Sequence, residues 1–264
     1  MIKVKEVSSS AAKAGVLDAR AEKDYVISWV LFGVASTPFL KDRLIFKGGT
    51  AMRKVYFPNY RYSEDLEFAL KGTFDLEEFK AGVGALIKWV QEKSGVILTL
   101  KAPELKKTEK FNFFFSYVGP LGGKVSGKNI KVEIGINEVQ YESPAEMDLI
   151  NEKHALLCYS LDEITADRMC YLMQRTTPRD LYDLWYLLEM SGNAIEDCVF
   201  AFEEKARHKN LDPKKLVALV VEKEAAFAKD WVEQLEQQLP ALPEFRKVWR
   251  ELEKSWRKYQ RFTQ

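Results

Sequence analysis

The hydrophobic and polar positions of this chain follow two different patterns, one in each half. Over the first 158 residues, short apolar or alternating runs are separated by stretches with helical spacing, which predicts strands and helices in turn. The strands predicted from these runs lie at residues 44–46, 65–68, 96–100, 110–118 and 129–136. Residues 1–7 also alternate and are predicted to add a strand.

Helical spacing marks the other elements of this half. Residues 11–35 are predicted to form a helix whose second part is apolar on nearly all sides and is therefore buried. Another helix is predicted from Asp75, which forms a capping pair with Glu78, to Gly95, a residue type that commonly ends helices. Alternating strands and helices of this kind predict a mixed sheet flanked by helices.

From Ser160 onward the apolar positions follow helical spacing alone. Ser160 with Glu163 predicts one helix start, and Thr177 followed by Pro178 predicts the next. We therefore expect an α/β (α+β) fold in two domains. An α/β domain would span residues 1–158, and a helical C-terminal domain that completes the site would span residues 159–264.

Composition narrows the class of protein. The chain has 264 residues, 47% of them hydrophobic, which is enough for a substantial core. Its net charge of +1 gives no global attraction to polyanions, so a nucleic-acid partner would have to bind a local patch. Three cysteines without CxxC spacing, and no signal-peptide pattern, predict a cytoplasmic protein. Two histidines argue against zinc, and no apolar stretch is long enough to predict a membrane partner.

A glycine-rich turn lies between the strand at residues 44–46 and a helical pattern that starts at Ala51. It reads Gly48-Gly49-Thr50. Glycines let backbone amides approach a phosphate closely, and a helix N-terminus adds partial positive charge. The hydroxyl of Thr50 could donate a further hydrogen bond, so this turn predicts a phosphate site.

Two carboxylates follow on the next strand. Asp65 and Glu67 are two residues apart and therefore project to the same face, while Leu66 and Phe68 face the core. Mg²⁺ prefers carboxylate and phosphate oxygens, and paired ions can hold both the attacking and the leaving oxygen. The order of turn and carboxylates predicts a site for a nucleoside triphosphate with Mg²⁺ or Mn²⁺.

These features resemble the nucleotidyltransferase fold of the DNA polymerase beta superfamily, and more closely the AbiEii/AbiGii-type nucleotidyltransferase toxins. The resemblance covers most of the chain and rests on four segments, which are residues 22–29, 47–51, 61–68 and 178–184. It implies a nucleotidyltransferase-like domain over residues 1–158 and a nucleotide site that also includes Lys47, Arg61 and Ser63.

The resemblance also implies further catalytic groups. Glu133, on the strand at residues 129–136, matches the third carboxylate of the superfamily and would be a metal ligand or would accept the proton of an attacking hydroxyl. Arg168 matches a basic residue, usually lysine, that holds phosphate. An acidic residue is expected in the segment that contains Asp180 and Asp183, and both remain candidates.

Three positions depart from the family pattern. Glu67 stands where aspartate is usual, and its extra methylene can shift a bound metal by ~1 Å, a displacement that can lower the rate. Arg168 replaces lysine, so phosphate would meet a planar fork instead of a point charge. Thr50 stands where many relatives have serine.

The predicted function is metal-dependent transfer of a nucleoside monophosphate from a nucleoside triphosphate to an acceptor hydroxyl, with release of pyrophosphate. By resemblance, the protein would be the toxin of a toxin–antitoxin or phage-defence system, with an antitoxin protein as partner and tRNA as acceptor. Transfer to a protein or a small molecule is one alternative, and a nucleotide-binding module without catalysis is another.

The last predicted helix has one apolar and one basic face. Its basic side chains, with aromatic residues nearby, could meet RNA phosphates. The same pattern also fits a solvated face over a packed stripe, and the sequence leaves both interpretations open.

Overall fold

The computed structural model describes residues 1–73, 75–106, 110–123, 128–150 and 153–263, with the backbone alone for residues 102–106. The chain divides into two compact units. We call them the sheet unit, residues Met1–Glu138 and Pro144–Cys158, and the helical unit, residues Val139–Ser143 and Tyr159–Gln264.

The sheet unit contains five helices and seven strands among its described residues. Its helices are α1 Val4–Ala14, α2 Asp18–Ser36, α3 Pro38–Arg43, α4 Gly48–Ala51, which a π-helical turn at Met52–Tyr56 continues, and α5 Leu76–Ser94. Its strands are β1 Leu44–Lys47, β2 Leu66–Leu70, β3 Ile97–Lys106, β4 Lys110–Val118, β5 Asn129–Gly135, β6 Ala145–Asp148 and β7 Ala155–Cys158.

The seven strands form one mixed sheet in the order β3-β4-β5-β2-β1-β7-β6. Strands β2 and β5 run parallel, as do β1 and β7, and the other neighbouring strands are antiparallel. This arrangement confirms the predicted α/β class and its mixed sheet. Strands β6 and β7 were not predicted.

One face of the sheet packs against α2 and α5. Leu66 and Phe68 from β2 and Phe113 from β4 line a small apolar cavity together with Val30 of α2 and Val83 of α5. Because side chains alternate along each strand, the neighbouring residues of β2, β4 and β5 project to the other face. That other face carries the polar groups of the candidate site.

The helix ends match the predictions from the sequence at some positions and differ from them at others. Asp75 accepts a hydrogen bond from the Glu78 amide (2.9 Å), and Gly95 ends α5 at a φ of 75°, as predicted. Gly15, at a φ of 66°, divides the single helix expected over residues 11–35 into α1 and α2. The strand predicted at residues 1–7 is wrong, because α1 begins at Val4 and buries Val7.

Among its described residues, the helical unit contains six α-helices, with short 3-10 turns at Pro213–Lys215 and Glu236–Gln238. The helices are α6 Leu161–Gln174, α7 Pro178–Trp185, which a π-helical turn at Tyr186–Met190 continues, α8 Val199–His208, α9 Leu216–Val221, α10 Glu224–Leu235 and α11 Phe245–Phe262. Helix α6 is buried along most of its length and forms the centre of this unit. Within the described residues, no helix is both long and apolar enough to span a bilayer.

Candidate active site

The glycine turn and the acidic strand are in direct contact. Gly48 follows β1 and begins α4 at a φ of 79°, a conformation that favours glycine. A Cβ at Gly48 would also collide with the carboxylate of Glu67. The backbone conformation therefore favours glycine at this position, and a larger residue would also displace the Glu67 carboxylate.

Two more of the predicted nucleotide-binding residues lie at the same turn. A Cβ on Gly49 would lie 2.8 Å from a guanidinium nitrogen of Arg61 and 3.4 Å from the hydroxyl oxygen of Ser63. Arg61 is buried and donates to the Tyr62 carbonyl (3.2 Å). The backbone amides of the turn, the Arg61 guanidinium and the Ser63 hydroxyl thus lie close together. All three are hydrogen-bond donors of the kinds that bind phosphate oxygens.

Thr50 has a different contact from the one expected of its side chain. Its hydroxyl donates to the backbone carbonyl of Asp65 at 2.5 Å, and the residue is buried. This proton is therefore engaged within the protein, where the sequence predicted a bond to phosphate. The contact ties the glycine turn to the residue that carries the first carboxylate.

Lys47 is held by a carboxylate of its own unit. Its ammonium group lies 2.5 Å from Glu138, and the lysine side chain is only 4% exposed. Glu138 packs back against the end of β5, where a Cβ on Gly135 would collide with it. The charge of Lys47 is thus balanced locally before any ligand binds.

The strand register places charged and polar residues in one row across the sheet. Glu67 on β2 pairs with Lys47 on β1 and with Glu133 on β5, and Glu133 pairs with Asn112 on β4. Asp65 immediately precedes β2 and lies two residues before Glu67, so it belongs to the same face. The row runs opposite to the face that packs on α2 and α5.

Two lysines hold Glu133. The Nζ atoms of Lys110 and Lys131 lie 2.6 Å and 2.9 Å from its two carboxylate oxygens. Burial favours the protonated acid, but the two ammonium groups outweigh this effect and lower the pKa of Glu133 to about 2. Glu133 is therefore ionised and paired at neutral pH.

Lys131 lies in the field of three carboxylates. Burial favours the neutral amine, but Glu133, Asp65 and Glu67 together raise the pKa of Lys131 above its ordinary value. Lys131 is two residues before Glu133 on β5 and shares its face. The sheet face that carries Asp65, Glu67 and Glu133, which we call the acidic face, therefore also carries a cation.

The carboxylates differ in how well they fit a metal ion. Among the residues that the structure describes, no group of three or more His, Cys, Asp or Glu side chains is arranged to hold a metal. Asp65 and Glu67 share a face beside the glycine turn and fit a divalent cation that also binds phosphate. Glu133 would serve as a third ligand only if it released Lys110 and Lys131.

Helix α2 fixes the helical turn that follows the glycines. Asp24 accepts from Arg53 Nε (3.1 Å) and lies 2.8 Å from Lys54 Nζ. Burial opposes ionisation of Asp24, but these two cations hold its pKa below the ordinary value. Arg53 also stacks on the ring of Tyr62, 3.7 Å from its centroid. This network joins α2 to the segment that leads to the acidic strand.

The same helix also holds the residue before Asp65. Arg20 and Lys23 lie 3.1 Å and 3.0 Å from the carboxylate of Glu64. Glu64 immediately precedes Asp65, and the Thr50 hydroxyl donates to the Asp65 carbonyl. The segment around the first carboxylate is therefore tied both to α2 and to the glycine turn.

In the helical unit, the structure brings together the three predicted residues Arg168, Asp180 and Asp183. The Arg168 guanidinium lies 2.9 Å from Asp180 and 3.2 Å from Asp183, and all three side chains are at least 97% buried. Arg175 also contacts Asp180, at 2.6 Å. Both acids thus hold the basic residue, and the geometry keeps both as candidates.

A model of the AbiEii family, described as a nucleotidyl transferase AbiEii toxin of a type IV toxin–antitoxin system, matches residues 29–259. This chain belongs to the AbiEii nucleotidyl transferase toxin family. The match confirms the resemblance found in the sequence. Family membership implies a nucleoside triphosphate substrate and an antitoxin partner.

Solved structures support the fold of this AbiEii family member. JHP933 from Helicobacter pylori superimposes with a TM-score of 0.62 at 16% identity, covering 91% of each chain. MenT4, a nucleotidyltransferase toxin from Mycobacterium tuberculosis H37Rv, has a TM-score of 0.56 at 18% identity, covering 78% of this chain and 72% of its own. A search of curated protein sequences gave no match.

Sequence reasoning missed two cations of this AbiEii chain, Lys110 and Lys131. A usable signal existed for Lys131, because it is two residues before Glu133 on a predicted strand and must share its face. No comparable signal existed for Lys110, which reaches Glu133 through the pairing of β4 with β5. That register is a property of the folded sheet.

Proposed function

We propose that this protein transfers a nucleoside monophosphate from a nucleoside triphosphate to an acceptor hydroxyl, and that the acceptor is an RNA, specifically tRNA. The proposal is supported most directly by the contact between the Gly48 turn and the Glu67 carboxylate. A phosphate held at the turn would lie beside two carboxylates on one strand face. Nucleotidyl transfer requires this juxtaposition of phosphate, carboxylates and cation.

The chain's own residues divide the work. The backbone at Gly48 and Gly49, with Arg61 and Ser63, would bind and orient the triphosphate. Asp65 and Glu67 would hold Mg²⁺ or Mn²⁺. Such an ion would neutralise charge on the phosphate oxygens and polarise the bond to be broken.

The reaction balances as a substitution at the α-phosphorus. The acceptor oxygen forms a bond to this phosphorus, and the bond from the phosphorus to the bridging oxygen of the β-phosphate breaks. Pyrophosphate leaves with the bonding electrons, and the acceptor proton passes to solvent. The protein contributes positioning and charge stabilisation and forms no covalent bond to the nucleotide.

Glu133 takes a positioning role in this scheme. With its pKa lowered to about 2, it is a poor proton acceptor at neutral pH. Its two oxygens hold Lys110 and Lys131 on the acidic face, where the ammonium group of Lys131 would balance triphosphate charge. A role as third metal ligand remains the second candidate, and it requires both ion pairs to break.

The proposed phosphate-binding role of Arg168 rests on the family resemblance alone, and within the helical unit Asp180 and Asp183 hold its guanidinium. The Arg168 side chain is 3% exposed and both carboxylates balance its charge, so phosphate binding would require Arg168 to release at least one of them. The two acids would then act by positioning Arg168, and their own contact with the substrate is not required.

The biological role proposed is that of a toxin acting in the cytoplasm and opposed by an antitoxin protein. Cys158, Cys170 and Cys198 are buried and free of disulfides within the described residues, as expected of a chain in a reducing compartment. Transfer to a protein or a small molecule is favoured by the near-neutral net charge of +1. A binding module without catalysis is favoured by the presence of Lys131 among the carboxylates.

The proposal is tested by labelling. Purified protein is incubated with Mg²⁺, total tRNA and each α-³²P nucleoside triphosphate in turn, beside the variants Asp65→Asn and Asp42→Asn. Asp42 is an exposed aspartate on α3 and makes the control a matched chemical change. We expect labelled tRNA with the wild type and Asp42→Asn, and none with Asp65→Asn.

Each other outcome assigns a different function. Label on protein in place of RNA would move the acceptor to a protein hydroxyl. Triphosphate binding by calorimetry without any label would favour the binding module. Label on tRNA that survives Asp65→Asn would refute the assignment of the acidic strand.

A further inference from the structure

Helix α11 has two faces of opposite character. Its apolar face is buried within the helical unit and includes Val248, Trp249, Leu252, Trp256 and Tyr259. Its other face is exposed and cationic, and it consists of Arg246, Lys247, Arg250, Lys254, Arg257, Lys258 and Arg261. We call these seven side chains the cationic face.

The cationic face holds a concentrated excess of positive charge. Residues 244–263 contain seven basic and three acidic side chains, a net charge of +4, so the rest of this +1 chain carries −3. Of the three acids, Glu251 accepts a hydrogen bond from the Trp185 indole (2.7 Å). Glu244 and Glu253 are exposed. The local acids therefore leave most of the positive charge unbalanced.

Across the described part of the chain, none of these seven cations forms an ion pair with a carboxylate. Arg257 makes a hydrogen bond, from Nε to the Glu253 carbonyl (3.2 Å). Some exposed cations on other helices are paired: Lys80 pairs with Glu77 on α5, and Arg207 pairs with Glu203 and Glu204 on α8. The cationic face is thus distinguished by the number of such cations that it gathers on one side of a single helix.

The geometry of this face fits an extended polyanion. A helix rises 1.5 Å per residue, so cations four positions apart, such as Arg246, Arg250 and Lys254, recur about every 6 Å, and the face spans about 22 Å. Four of the seven are arginines, whose planar forks bind phosphate through two parallel hydrogen bonds. A linear row of phosphates can engage such a face, whereas a small anion can contact only one or two of its side chains.

The apolar face decides between a membrane and a nucleic acid. A basic amphipathic helix binds a bilayer by inserting its apolar face between the lipids. In α11 that face is already packed in the protein core, where Leu252 is 0% and Trp256 is 2% exposed. Only the charged face of α11 is therefore accessible to a partner. Contacts between such charges and phosphates are typical of sequence-independent RNA binding.

We propose that the cationic face of α11 binds the phosphate backbone of the RNA acceptor, independently of its sequence. This inference rests on the proposed function, because it names the surface that would recruit the acceptor. Of the two alternatives left open by the sequence, the proposal adopts RNA binding over a merely solvated face.

The test measures binding of fluorescent tRNA without nucleotide or metal. The triple variant Arg250→Gln/Lys254→Gln/Arg257→Gln removes three cations from exposed helix positions, where glutamine is well tolerated. The matched control, Lys80→Gln/Lys88→Gln/Lys93→Gln, removes three exposed cations from α5. Thermal unfolding checks that all three proteins are equally folded.

We expect the α11 variant to bind tRNA roughly 10- to 100-fold more weakly at 0.1 M salt. Its log–log salt slope should fall by about 2 to 3, since each lost phosphate contact removes roughly 0.7 to 0.9. The α5 control should match the wild type. Equal losses in both variants, or an unchanged salt slope in the α11 variant, would overturn the proposal.

Two further arms separate this inference from its alternatives. Sedimentation with anionic vesicles detects a membrane partner, and vesicle binding that depends on α11 while tRNA binding does not would overturn the proposal. Label transfer is assayed in parallel. Reduced tRNA binding in the α11 variant, with no transfer by the wild type, would support this surface and reject nucleotidyl transfer. Transfer to tRNA by the wild type, with unaltered tRNA binding in the α11 variant, would support nucleotidyl transfer and reject this surface.

Discussion

Replacing Glu133 by glutamine tests what the two lysines around it contribute. The substitution keeps the shape of the side chain and removes its charge, so Lys110 and Lys131 lose the carboxylate that they contact at 2.6 Å and 2.9 Å. We expect a loss of stability that depends on pH, together with a loss of triphosphate affinity.

The magnitude follows from the pKa of Glu133, which is about 2 in the folded protein against an ordinary value of 4.5. A difference of this size is worth about 3 kcal/mol at neutral pH. Glutamine can still accept a hydrogen bond from one lysine, and the Glu133 side chain is 21% exposed, so we expect a net loss of about 2 kcal/mol.

The sign of the pH dependence is set by the lowered pKa. The carboxylate stabilises the fold fully above the unfolded value of 4.5, and this contribution disappears as the pH falls towards 2. The free energies of unfolding of wild type and variant should therefore differ by about 2 kcal/mol at pH 7 and converge in strong acid.

Urea unfolding followed by tryptophan fluorescence measures the free energy of unfolding at pH 7 and pH 2, and calorimetry measures the affinity for the triphosphate. The control is Glu146→Gln, which removes a carboxylate that pairs with Lys41 but is 54% exposed. Exposed pairs contribute little, so the control should lose less than about 1 kcal/mol. A Glu133→Gln variant no less stable than the control at pH 7, or a difference that persists unchanged at pH 2, would refute this reasoning.

Three further changes test other parts of the structure. Gly48→Ala should lower the free energy of unfolding by about 1 to 2 kcal/mol, because alanine is strained at a φ of 79°. It should also displace Glu67 and weaken triphosphate binding measured by calorimetry. An affinity equal to that of the wild type would contradict a role for the Gly48–Glu67 contact. Asp183→Asn should destabilise the helical unit by about 3 kcal/mol, because it removes one of the carboxylates that balance the charge of buried Arg168. An unchanged melting temperature would contradict this expectation. Asp75→Ala should lower the free energy of unfolding by about 1 kcal/mol in chemical denaturation, because it removes the cap of α5. Asp75→Ser, which keeps a capping oxygen, should retain most of this stability. Equal losses in both variants would exclude capping as the cause.

The parts of the fold that depend on local chemistry could be predicted from the sequence. The strand before Gly48, the shared face of Asp65 and Glu67, and the cap at Asp75 each follow from spacing within a few residues. The same holds for the capping hydrogen bond from the Glu163 amide to Ser160 (3.1 Å). Short-range hydrogen bonding and side-chain alternation determine all of these features.

Features that depend on distant contacts could not be predicted in this way. Strands β6 and β7 have four residues each, and β7 is held by parallel pairing with β1, which lies more than 100 residues earlier. Residues 1–7 alternate like a strand, yet burial of Val7 against α2 and its neighbours selects a helix. In the site, the pairing of Lys110 with Glu133 depends on the register of β4 and β5, which local pattern does not encode.

The central claim is that the Gly48 turn and the Asp65–Glu67 strand face catalyse transfer of a nucleotidyl group, and the position of the transferred phosphate tests it most directly. Parallel reactions contain the same nucleoside triphosphate labelled at the α- or the γ-phosphate, with Mg²⁺ and tRNA. We predict that the α-label becomes attached to the acceptor while the γ-label leaves as pyrophosphate, and that Asp65→Asn abolishes both. Transfer of the γ-label to the acceptor, or hydrolysis to phosphate without any labelled acceptor, would contradict the claim.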